Sequence, residues 1–452
     1  LTKNPSIKTI DEKELRKNLS KISWDISGKV SDVIGSVVEA NLPQSQLGMI
    51  CEIFSNKKES GILSEVVGFK EDKALLLAFS SLSGLTPGAI VKKKHMHDTI
   101  LVGDHLLGNV IDAFGQSLDL NSEMIPSGSS IYVPLEKPPP NPMNRERIKK
   151  PISLGIKSID SLLTIGEGQR IGIFAGSGVG KSVLMGMIAK GSTADCNVIG
   201  LIGERGREVR EFIDKDLGPE GLKRSVVVVV TSDQSPLMKL RGAKLVASIS
   251  EYFSSLGKNV LLMMDSLTRV AQAQREIGLS VGELPTAKGY PPSVYSLLPK
   301  LLERSGPQPK NFGPISGIYT VLVDGDDFHD PIPDNARAIL DGHIYLSRSL
   351  ATKGHFPSID VPSSISRVMN DIVSDHHKKL AVYMKSLISV YQENLDYIQL
   401  GTYVKGSNIL LDKAISLMPQ IEAFLKQDMK EHFSMDKSME ELIRIIHFEE
   451  KL

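Results

Sequence analysis

Ala175-Gly176-Ser177-Gly178-Val179-Gly180-Lys181-Ser182 is the stretch whose reading decides the fold. It follows an apolar run at 170–174 and opens a segment of helical spacing at 182–189. Strand, Gly-rich loop and helix in that order are the setting in which a backbone loop cradles phosphate. Gly176, Gly178 and Gly180 free the chain to turn successive N–H groups toward anionic oxygens. The following helix start adds partial positive charge. Lys181 can then reach β- and γ-phosphates, and Ser182 can ligate Mg²⁺. The binding set read from this stretch is Gly176, Ser177, Gly178, Val179, Gly180, Lys181, Ser182 and Val183. Ala175 stands where the phosphate-loop pattern usually begins with Gly.

Outward from the loop, near-continuous apolar runs at 198–202, 225–230, 259–264 and 318–323 alternate with helical segments. Strands apolar on both faces with helices between them predict an α/β domain built on a mostly parallel sheet. Asp265 closes one such run, where a carboxylate can hold Mg²⁺ through water. Glu204 and Arg205 close another. Glu204 there is either a general base for water or half of a structural ion pair with Arg205, and the residues alone leave both open. Before this domain, short β-rich runs at 30–38, 49–54, 63–69, 74–79 and 89–93 predict a small β-barrel or sandwich. Five prolines between Pro134 and Pro142 make an extended connector. After Arg367 the strands stop, and 372–400, 410–427 and 435–448 read as amphipathic helices of a C-terminal helical domain. Leu15, Leu19 and Ile22 fit a short leader helix, or a frayed terminus. The expected boundaries are 1–27, 28–95, 96–375 and 376–452.

Composition narrows the function. Lys+Arg and Asp+Glu are both 53 in 452 residues, which argues against a surface wholly devoted to nucleic acid or anionic membrane. Cys51 and Cys196 are too few for a disulfide scaffold. No apolar run approaches the roughly 18 residues of a membrane span, and the N-terminus lacks signal-peptide texture. A cytoplasmic protein is the expectation.

Longer strings carry a resemblance. "LIGERGREVREFI" (201–213), "MMDSLTR" (263–269), "KGYPPSVYSLLPKLLERSG" (288–306), "DGDDFHDPIPDNARAILDGHIYLSR" (324–348) and "SSISRVM" (363–369) resemble the catalytic subunits of rotary ATPases. They are closest in kind to the type III export ATPases, and "FAGSGVGKSVLMGMIA" (174–189) is most similar to the flagellar branch. The resemblance spans roughly 28–427. It implies a RecA-like P-loop domain whose Walker A loop carries Lys181 and Ser182, ATP as substrate and Mg²⁺ as cofactor. It implies that Glu204, beside Arg205, activates water, that Asp265 is the Walker-B acid, and that Arg269 is a cation near the γ-phosphate. It further implies that Arg367 is an arginine finger given to a neighbouring subunit, that Phe356 stacks on adenine, and that Met429 covers its other face.

Glu204 and Arg367 in one chain allow identical copies to build every site of a ring, so a homohexamer is expected. The implied setting is the inner-membrane export apparatus, peripherally. The implied partners are a central stalk, a negative regulator at the N-terminus, an export gate and chaperone–substrate complexes. No nucleic acid is expected. The competing readings are an injectisome ATPase, an ATP synthase catalytic subunit, a hexameric RNA translocase and a non-hydrolysing ring subunit. Residues 28–94 contain no Arg and only three aromatics, which disfavours a barrel that stacks nucleotides. Asp324, Asp326, Asp327, His329, Asp330 and Asp334 fit no standard metal loop, and His376 to Lys379 read as a solvated helix start.

Overall fold

The computed structural model describes residues 27–55, 61–94, 99–119, 124–126, 128–323 and 330–449. The leader helix and the acidic side chains at 324–329 lie outside them. The chain divides into two compact units, the second beginning at His97.

The first unit is a closed antiparallel barrel of β1 (Ser27–Ile34), β2 (Val37–Asn41), β3 (Ile50–Phe54), β4 (Ile62–Lys70), β5 (Lys73–Ala78) and β6 (Ile90–Lys93). They run in the order β1-β2-β5-β4-β3-β6, with β6 closing on β1. The run at 30–38, expected as one strand, is a hairpin. Gly35 at φ 61° turns the chain, and Ile34 pairs with Val37. Val30, Val38, Ile53, Val66, Leu76 and Val91 fill the interior, as side-chain alternation along closed strands requires.

The second unit is built on an eight-stranded sheet. Two small antiparallel pairs accompany it: β7 (Thr99–Val102) with β9 (Ile131–Pro134), and β10 (Pro151–Ile152) with β11 (Ile165–Gly166). The sheet comprises β8 (Val110–Ile111), β12 (Arg170–Ala175), β13 (Cys196–Glu204), β14 (Ser225–Thr231), β15 (Val260–Asp265), β16 (Ile315–Leu322), β17 (Gly342–Leu346) and β18 (Ile359–Ser366). The order is β18-β17-β12-β16-β15-β13-β14-β8. All neighbours are parallel except β17 and β18. All eight residues from Cys196 to Gly203 are buried, and β15 is buried along its whole length. Helices therefore cover both faces. Parallel pairing also sends the C-terminal ends of all these strands but β18 to one edge, and that edge forms the site.

The C-terminal helices Asp375–Glu393, Ile409–Leu425 and Met435–Glu449 form, with the short Leu395–Gln399 between the first two. Leu380, Met384, Leu387, Leu417 and Ile421 join one continuous core with Ile159 and Leu162 of the helix Lys157–Leu162. His377, expected in solvent, is buried instead, with Nε2 2.6 Å from the carbonyl oxygen of Ser161. Packing against the helix Lys157–Leu162 overrides the polar texture of its neighbours in sequence. Cys51 and Cys196 are free and buried, and burial pushes their thiols up to about 11 and about 12. Among the described residues no helix is long and apolar enough to cross a membrane.

Candidate active site

β12 delivers the chain into the Gly-rich loop at the C-terminal edge of the sheet, and Lys181 begins the helix Lys181–Gly191. Gly178 and Gly180 have φ of 77° and 87°, the left-handed region that a Cβ disfavours. The loop walls a cleft of about 570 Å³, lined also by Ser177, Ser182, Val183, Glu204, Arg205, Glu208 and Arg269. Val179 turns its side chain into the core, and its carbonyl accepts a hydrogen bond from Ser358 Oγ at 2.7 Å. Val179, read from the sequence as part of the binding set, does not line the cleft.

Three strand ends converge beneath the loop. β15 ends in Asp265 and β13 in Glu204, and these two strands are direct neighbours. Lys181 Nζ lies 2.5 Å from Asp265 Oδ1 and 3.5 Å from Glu204 Oε1. Thr320 of β16 donates to the same Asp265 Oδ1 at 2.6 Å. Burial disfavours the Lys181 ammonium, but the two carboxylates outweigh it and hold its pKa above the ordinary value. Burial, then the Asp265 charge, pushes the Glu204 carboxyl up to about 7, against the pull of Lys181. A carboxyl so tuned can take a proton from water near neutral pH.

The Glu204–Arg205 ion pair is not what forms. Glu204 pairs with Lys181, while Arg205 is exposed and pairs with Glu208 at 3.0 Å. Gly203, at φ 79°, lets Arg269 pass close across the end of β13: a Cβ there would lie 2.7 Å from Arg269 Cβ. Arg269 Nη1 donates to Gln272 at 3.0 Å, whereas its Nε is buried without a hydrogen-bond partner. A buried, unanswered N–H on a cation lining the cleft suits an anionic ligand. The Mg²⁺ donor set also fits: a hydroxyl at Ser182 and a carboxylate at Asp265 are hard oxygen ligands. Among the described residues no cluster of three His, Cys, Asp or Glu forms a metal cage.

Phe356 is 46% exposed and its ring sits on the phosphate loop, where a Cβ at Gly180 would come 3.3 Å from Phe356 Cδ1. Met429 is partly buried against the main core, two residues beyond Gln427, whose N–H donates to the Phe356 carbonyl at 3.0 Å. Arg367 lies apart from these groups. It is exposed after β18 and donates to the Arg337 carbonyl at 3.2 Å. Sequence reasoning missed Thr320, Ser358, Glu208 and Gln427. For Glu208 the signal was its position three residues after Arg205, at the start of the helix Gly206–Glu211.

Three family models match the chain. The beta-barrel domain of the ATP synthase alpha/beta family covers residues 30–94, its nucleotide-binding domain 155–366, and the T3SS EscN ATPase C-terminal domain 373–444. The flagellum-specific ATP synthase of Bacillus subtilis is 52% identical over 430 residues, 95% of this chain and 97% of that protein. The flagellum-specific ATP synthase of Salmonella typhimurium is 46% identical over 92% of each. Among solved structures, the assembled ATPase EscN of the enteropathogenic E. coli type III secretion system superposes with a TM-score of 0.86 at 43% identity. That match covers 93% of this chain and all of EscN. EscN in complex with its central stalk EscO gives 0.85 at 44%, with the same coverage.

Proposed function

The chain belongs to the flagellum-specific ATP synthase family and is a type III export ATPase, and we propose that it hydrolyses Mg²⁺-bound ATP in a homohexameric ring that energises flagellar export. The observation that carries the chemistry is Lys181 held between Asp265 and Glu204 under the phosphate loop. Arriving phosphates compete for Lys181, and its departure from Glu204 frees that carboxylate to face water. Glu204 then accepts a proton as the water oxygen bonds to the γ-phosphorus and the bond to the ADP oxygen breaks. Lys181 and Arg269 stabilise charge on the phosphoryl oxygens, and Arg367 of a neighbouring copy completes the set. Ser182, and Asp265 through water, would hold Mg²⁺, which when bound neutralises phosphate charge. Phe356, against Gly180, is placed to stack on the base, and Met429 is the candidate for its other face.

Assembly of EscN, and its complex with the stalk EscO, support a ring of copies around a central stalk here. An N-terminal regulator, an export gate and chaperone–substrate complexes complete the partners, at the cytoplasmic face of the inner membrane. The flagellar over the injectisome setting rests on curated relatives such as that of Bacillus subtilis. Glu204→Gln tests the chemistry. It should bind a fluorescent nucleotide nearly as the parent does but release phosphate about 10²–10⁴-fold more slowly. Unchanged phosphate release would remove Glu204 from the mechanism.

A further inference from the structure

Gln427 is 6% exposed, and its carboxamide is spent entirely on backbone groups. Oε1 accepts from Lys157 N at 2.9 Å, and Nε2 donates to the carbonyls of Gly155 at 2.8 Å and Glu431 at 3.0 Å. Its own N–H donates to the Phe356 carbonyl at 3.0 Å. One residue thus joins the entry to the helix Lys157–Leu162, the Phe356 loop, and the segment between the last two C-terminal helices.

The chemistry of these bonds needs a glutamine. The helix Lys157–Leu162 follows Ile156, which offers no capping side chain, so its first N–H is left for an acceptor from elsewhere. A carboxamide supplies that acceptor together with two donors for Gly155 and Glu431; a carboxylate would lose the donors. Gly155, at φ 75°, packs on the far end of the phosphate-loop helix, where a Cβ would lie 2.8 Å from Gly191 Cα. Gly180 at the near end of the same helix meets the Phe356 ring. Gln427 therefore holds the segments that touch both ends of the helix Lys181–Gly191.

We infer that Gln427 is a positioning residue that sets the Phe356 face against the phosphate loop and passes occupancy of the base site to the C-terminal helices. The inference rests on Phe356 as the stacking residue. Lys157 gives a tie to those helices that does not use Gln427: its Nζ lies 3.5 Å from Glu441 Oε2 and 4.7 Å from the centre of the Phe433 ring. Loss of the carboxamide should therefore leave the fold in place.

The test compares Gln427→Met, Gln427→Glu and Phe356→Ala in the full chain. It reads steady-state kinetics for ATP and hydrogen exchange over 409–446 with and without ADP. Gln427→Met should raise KM about tenfold, the scale of one lost hydrogen bond, with kcat changed less than about twofold, and it should abolish the ADP-dependent protection of 409–446. Gln427→Glu keeps the acceptor but sets a carboxylate oxygen against the carbonyls of Gly155 and Glu431, so it should raise KM at least as much as Gln427→Met. A raised KM in Phe356→Ala beside parental KM and parental ADP protection in Gln427→Met overturns the Gln427 inference alone. A lowered melting temperature in Gln427→Met with the ADP response intact also overturns it, leaving the residue structural. Unchanged KM in Phe356→Ala instead overturns the stacking assignment on which the inference rests.

Discussion

Glu204 sits in a balance that pH should expose. Its carboxyl is pushed up to about 7 from an ordinary 4.5, first by burial and then by Asp265. Since kcat/KM reports ionisation in the free enzyme, it should rise with pH through about 7 and then level. Glu204→Gln should lose both the rate and that limb; a profile flat from pH 5.5 to 8 would take the base role from Glu204. Stability should move the other way. The folded chain binds this proton more tightly than the unfolded chain, so it loses stability as pH rises from about 4.5 through 7. Glu204→Gln, which carries no such charge, should therefore gain melting temperature relative to the parent at pH 8 more than at pH 5. At this scale Lys181, Ser182, Glu204 and Asp265 were legible in the sequence because each ends or follows one of the apolar strands. Thr320, Ser358 and Gln427 were not, because their partners stand 55, 179 and up to 272 residues away and no local pattern marks them.

Elements were legible in proportion to how uniformly they are buried. β13, β14 and β15, hidden on both faces, read as apolar runs. β18 alternates buried with more exposed positions at the sheet edge, and its Ser-rich sequence gave no such run. β17 was likewise missed. The barrel hairpin was hidden because Gly35 interrupts the valine-rich run by only a two-residue turn. His377 shows tertiary contact overruling composition. Burial lowers its pKa, so the folded chain binds its proton less tightly than the unfolded chain. Stability should thus fall as pH drops below the ordinary histidine value of 6.5 toward the folded one. His377→Ala should cost about 1–3 kcal/mol at pH 7.5, from the lost bond to Ser161 and the space left, and should shrink the acid loss seen in the parent. Denaturant unfolding at pH 7.5 and 5.5 measures both; a variant as stable as the parent would mean the packing of His377 contributes nothing.

At the scale of the molecule, one chain holds Lys181 and Glu204 in its cleft while Arg367 stands exposed after β18, its guanidinium donating to the Arg337 carbonyl at 3.2 Å. A cation so placed cannot answer charge in its own cleft without large movement, but it can answer charge in a neighbour's. An arginine finger is worth about 10³–10⁵ in rate because it meets charge that develops only as the phosphoryl group transfers. Arg367→Ala should therefore bind ATP through its own loop yet be nearly inactive. Lys181→Ala should fail because its phosphates lose their cation. In a ring mixed from the two, some interfaces pair Lys181 of an Arg367→Ala copy with Arg367 of a Lys181→Ala copy. Those sites are complete, so phosphate release should appear on mixing two inactive proteins and should vary with their ratio. Strict coupling around the ring would lower the yield, which makes the assembled Arg367→Ala protein the sharper arm. Full turnover there would return Arg367 to the surface and withdraw the case for sites shared between identical copies.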